Sequence, residues 1–93
     1  MRLKNYKVYI NMKKPLSSLL ADERFTKEKA SVTIAESTFD DSHSKWWLLA
    51  TMNNEHTVDL SLETESDILD SESCSSEKTL SSAITRMLES VCA

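Results

Sequence analysis

Three features of this 93-residue chain predict an α+β fold: an antiparallel sheet of about four strands, a C-terminal amphipathic helix on one face, and a short helix between strands 1 and 2. Several short segments alternate apolar and polar residues, the period of a half-buried strand. The last of them follow one another with only short polar breaks, as in a meander. The segment after Ser76 instead repeats its apolar residues at helical spacing. A chain this short forms one small domain, spanning 1–93, with a modest core.

Taken in order, residues 6–12 set Tyr6, Val8, Ile10 and Met12 on one face and Lys7, Tyr9 and Asn11 on the other, the pattern of a first strand. In "PLSSLLADERF", Pro15 suits a first helical position and Leu16, Leu19 and Leu20 share one helical face. Residues 31–37 alternate Val32 and Ile34 against Thr33 and Ala35, and "TFDDSHS" then breaks the strand.

"SKWWLLATMNNEHTVDLSL", residues 44–62, supplies two more strands. Asn53-Asn54 is the expected hairpin turn, because Asn tolerates the left-handed conformation. A two-residue loop pairs Trp47 with Leu60 and leaves Trp46 opposite Ser61; a three-residue loop joins Trp46 and Leu48 to Leu62 and Leu60 and turns Trp47 toward Ser61 and Asp59. In either register one Trp is stranded on a polar row. Residues 63–72 carry Glu63, Glu65, Asp67, Asp70 and Glu72 with Ile68-Leu69 as the apolar anchor, which reads as a connecting segment. Ser75 or Ser76 then caps a helix to about Val91, its stripe made by Leu80, Ala83, Ile84, Met87, Leu88 and Val91.

One helix covers one face of a sheet. Its stripe is expected to meet Val8, Ile10, Val32, Ile34, Val58 and Leu60, leaving Tyr9, Thr33, Ala35, the spare Trp and Asp59 on the other side. Either the short leucine helix folds back over that side, making both tryptophans core, or a partner covers it.

Composition removes whole classes of function. There is no glycine, so the phosphate-cradling loops that require it are absent, and left-handed turn positions fall to Asn53-Asn54 or Asp40-Asp41. No cofactor is expected. The longest apolar run is Trp46 to Ala50, far below the ~18–20 residues of a membrane span. The basic start lacks the apolar core of a signal peptide, so a cytoplasmic location is expected. Cys74, in what reads as a serine-rich linker, and Cys92 are expected as free thiols, and with His43 and His56 they show no ligand spacing, so no metal is expected. Ser42-His43 beside Asp40-Asp41 holds the residue types of a triad, but neighbours in one polar loop do not make the oriented geometry of proton relay. The expectation is a protein that is not an enzyme.

What remains is contact. Aromatics on a rigid sheet are favoured interface anchors, which singles out Trp46, Trp47, Leu48, Tyr9 and Asp59 as the candidate surface for a protein partner. That partner is a second copy in a homodimer or a host protein, and the chain is expected to act as a small regulator or inhibitor, in the manner of acidic proteins of phage or mobile elements. A net charge of −4 opposes general nucleic-acid affinity. Basic residues in 1–14 and acidic ones in 63–77 could attract one another within the fold or in trans.

The helix, strand, strand, strand, helix order from 15 to 91 resembles that of double-stranded RNA binding domains. That resemblance implies an alternative, an RNA-binding module using Lys13, Lys14 and Lys78. The sequence departs from the family where its last helix begins: "SCSSEKTLSS" has one lysine instead of a cluster, and the glycine-bearing loop is missing.

Overall fold

The computed structural model describes residues 6–38, 44–54 and 57–92. In chain order they form β1 (Lys7–Val8), α1 (Pro15–Leu20), α2 (Glu23–Thr26), β2 (Val32–Thr38), β3 (Lys45–Asn54), β4 (Thr57–Thr64), β5 (Ile68–Cys74) and α3 (Glu77–Cys92). The strands make one antiparallel sheet in the order β1-β2-β3-β4-β5, so the α+β class holds with one strand more than expected.

α3 begins where its capping chemistry places it. The Ser76 hydroxyl accepts from the Thr79 N–H, and the Thr79 hydroxyl accepts from the Ser76 N–H, a reciprocal box with Thr in the role usually given to Glu or Gln. Leu80, Ala83, Ile84, Met87 and Leu88 are all buried, as the helical spacing demands. Each large member contributes about 1.5–3 kcal/mol of apolar burial.

The segment after Pro15 is two short helices instead of one. Asp22 interrupts it, accepting from the Arg24 N–H at 2.9 Å to cap α2. The break has a packing consequence. In a straight helix Leu19 and Phe25 would lie about 120° apart, whereas here both are fully buried in the same core. α1 has no side-chain cap of its own. Glu77 supplies one from α3, its carboxylate accepting from the Leu16 and Ser17 N–H groups and from the Ser17 hydroxyl. That ties the start of α1 to the start of α3.

Strand register follows the apolar pattern more closely than the turn residues. β3 runs through Asn54 and β4 starts at Thr57, so Asn53-Asn54 is strand and not the hairpin turn. Asn54 stands opposite Thr57, and a shift between Met52 and Asn54 then realigns the pair. Without that shift Leu48 would face Glu63; with it Leu48 faces Leu62 and Ala50 faces Leu60. Both expected registers are displaced, but Trp46 and Leu48 do share the face of Leu60 and Leu62, and Trp47 takes the other.

A second shift lies between Thr33 and Ala35 of β2, where Ile34 and Ala35 are both buried near Leu48. The bulge carries Ala35 into the core, contrary to strict alternation, and puts Glu36 opposite Trp47 on the outer face. β1 is shorter than its alternation suggests, since Asn11 turns the chain by accepting from the Lys13 N–H. Val8, expected in the core, is 37% exposed at this edge, while Tyr6, Ile10 and Met12 pack against the core.

β5 was hidden in the sequence. Of the residues 63–72 expected as a connector, 63–64 end β4 and 68–72 pair with it as most of β5, Asp70 opposite Leu62, while Cys74, opposite Val58, is buried in the core instead of lying in a linker. The alternation is masked because its inward residues include acids: Asp70 and Glu72 turn to the helix side and pair with Arg86 of α3. Among the described residues the left-handed position falls to Lys29, where a bond from the Ala30 N–H to the Arg24 carbonyl, six residues back, closes the turn after α2. It does not fall to Asn53 or Asn54. Asp40-Asp41 and the Ser42-His43 pair lie outside the described residues, as does His56.

Candidate functional site

The three helices among the described residues lie on one side of the sheet. Leu19 of α1, Phe25 of α2 and the stripe of α3 belong to a single cluster with Val32, Ile34, Trp46, Leu48, Val58, Leu60 and Leu62, and α1 packs against α3. The leucine helix therefore does not fold back over the second Trp.

This divides the candidate contact residues. Trp46 is 2% exposed and Leu48 is buried, with the Trp46 ring 6.2 Å from that of Tyr6; both are core and neither can meet a partner. The parity of the register is the reason, since it sends even-numbered β3 residues inward. Trp47, Tyr9 and Asp59 are on the outer face. Trp47 stands opposite Glu36 on one side and Glu63 on the other, so the polar row beside it differs from the expected Ser61 and Asp59. Leu49, two residues on, lies between Thr33 and Ser61.

The acids of this face are each held by a hydroxyl. Tyr9 donates to Glu36 at 2.5 Å, Ser61 to Glu63 at 2.6 Å and Ser73 to Asp59 at 2.6 Å. The Glu36 contact raises the Tyr9 phenol above its ordinary value, mainly because the neutral phenol is the donor. Lys7 stands opposite Glu36, and with Lys45, Ser37 and Thr38 it lines a shallow depression at one end of the face. The surface is a shallow aromatic and aliphatic ridge bordered by carboxylates and small hydroxyls. Its side chains suit contact more than chemistry.

The residues of the other readings are dispersed. Cys74 is buried, and its thiol donates to the Thr79 carbonyl at 3.7 Å; burial, then the Glu72 charge, pushes its pKa up, the opposite of an activated nucleophile. Lys13 and Lys14 precede α1 and Lys78 is in the first turn of α3; all three are exposed. The basic start of the chain feeds one edge of the sheet and the acidic segment forms the other, about 19 Å away across four strand spacings, so β1 and β5 do not pair within one molecule. The helix, helix, four strands, helix order from Pro15 onward departs from that of double-stranded RNA binding domains.

No protein-family model matches the chain, nor does any curated protein or solved structure. Sequence reasoning missed Glu36 and Glu63 beside Trp47, because their placement depends on two register shifts. It also missed the edge position of Ile68 and Leu69, for which Arg86 on the helix, matching acids two apart, was the available signal. No described helix is long and apolar enough to cross a membrane.

Proposed function

We propose that this protein is a non-enzymatic contact module of the cytoplasm, a small regulator or inhibitor that binds a protein partner through the outer face of its sheet. One observation carries the reading: every described helix is on the inner side, so Trp47, Leu49 and Tyr9 stand on a sheet face that no described element covers. A rigid, half-buried Trp beside a Leu offers contact area at small cost in side-chain entropy. Self-association is the simplest form, two copies meeting through this face about a two-fold axis.

Trp47→Ala tests it, with folding followed by circular dichroism and mass by light scattering. The variant should keep the parent's fold and lose its association, dropping to the 10.6 kDa monomer if the parent is a dimer, or losing a co-purifying protein if the partner is foreign. A folded Trp47→Ala protein that retains every association of the parent would refute the proposal.

A further inference from the structure

The two edges of the sheet are unequal. β1 offers two residues, but β5 offers seven, and among the described residues no strand pairs with its outer side. An edge of that length presents N–H and C=O groups to the outside, the template for strand addition; one N–H of the strand, that of Ser71, donates to the Asp70 carboxylate at 2.8 Å and would have to be released by an added strand. It contains no proline. Its beginning carries Ile68 and Leu69, 68% and 48% exposed, two of the large hydrophobic side chains that the fold leaves in the open.

Charge decides what can dock there. Asp70 and Glu72 project on the helix side of β5, where both pair with the single guanidinium of Arg86, leaving an excess negative charge. Glu65 and Asp67, in the turn that leads into the strand, add to it. A second copy is a poor occupant, because antiparallel pairing of two β5 strands about Ser71 would set Asp70 against Glu72 in both directions. We propose that β5 is a strand-addition site for an extended basic segment of another protein. Its alternate Lys or Arg side chains would meet Asp70 and Glu72, and an apolar residue would cover Ile68 or Leu69. The site is the open edge of β5; its Ile68 lies opposite Glu63 and so borders the outer sheet face, but strand addition at the edge stands whether or not that face binds a partner.

The test uses the full chain and a seven-residue peptide that alternates lysine and threonine and has a valine at one end, with a glutamate-for-lysine analogue as control. Hydrogen exchange read residue by residue should slow at alternate amides of 68–74 with the lysine peptide and not with the analogue. Asp70→Asn with Glu72→Gln should weaken the lysine peptide by about tenfold, two exposed charge contacts being removed. Arg86→Gln should tighten it, because a competing cation is gone; a structural role alone would not produce that opposite sign. The proposal is overturned if protection appears outside β5, if the glutamate analogue protects equally, or if neutralising Asp70 and Glu72 leaves the lysine peptide's affinity unchanged.

Discussion

Trp46 and Trp47 are adjacent on one strand, yet Trp46 is 2% exposed beneath the helices and Trp47 stands half-buried on the uncovered side of the sheet. Inside, Trp46 packs with Tyr6 and the apolar rows of β2, β4 and α3. Outside, Trp47 lies between Glu36 and Glu63, and the neighbouring acids are held by hydroxyls. Residue type does not distinguish the two. Parity along the strand does, so stability and contact are assigned to alternate residues of β3.

The largest effects should separate the two rows most sharply. Trp46→Ala should cost about 3–5 kcal/mol and Leu48→Ala about 2–5 kcal/mol, since each leaves a cavity among buried neighbours. Trp47→Ala should cost about 1 kcal/mol or less, the scale of a cross-strand pair. Urea unfolding of the three variants checks this. Equal losses at 46 and 47 would mean that the outer face is covered after all.

Next in size is the tie that keeps α1 on the inner side. Glu77→Ala removes the acceptor for two N–H groups of α1 and should cost about 1 kcal/mol, with amide exchange speeding up at residues 16–18 before anywhere on the outer face. A uniform change in exchange would argue against a local cap.

The inner face should also respond to pH through Cys74. Its folded pKa is raised, by burial first and then by Glu72, so its contribution is fully present below the ordinary thiol value and is lost as pH rises through the folded value. In a Cys92→Ser background, the parent should therefore lose stability toward alkaline pH more steeply than Cys74→Ala. Parallel pH profiles would contradict the burial of the thiol.

The smallest effect belongs to the outer face. Glu36→Gln should lower the pKa of Tyr9 toward the ordinary phenol value in an ultraviolet titration, with little change in stability. An unmoved titration would show that the phenol and carboxylate do not meet.

The parts of the fold legible in advance were those with local causes. α3 could be read from its stripe and from Ser76, because helical periodicity and capping are set within a few residues. That one Trp must face away from the helices was legible from strand alternation. β5 was not, because its inward acids look like a solvated run until Arg86 of a separate helix is placed beside them. The α1 cap by Glu77 and the burial of Cys74 opposite Val58 were likewise invisible locally, since each depends on a neighbour distant in sequence; the division of the leucine segment at Asp22 has a local cause, the Asp22 side-chain cap, which the leucine spacing overshadowed.

Alternation and helical spacing by themselves determined the class of this protein, its long helix and the existence of an inner and an outer Trp. Which Trp is which, and what stands beside it, only the tertiary structure decided. The reason is that one residue of register exchanges the faces of a strand, and here the register is set by bulges at Ile34 and near Asn53 that bring apolar rows of separate strands together against the helices.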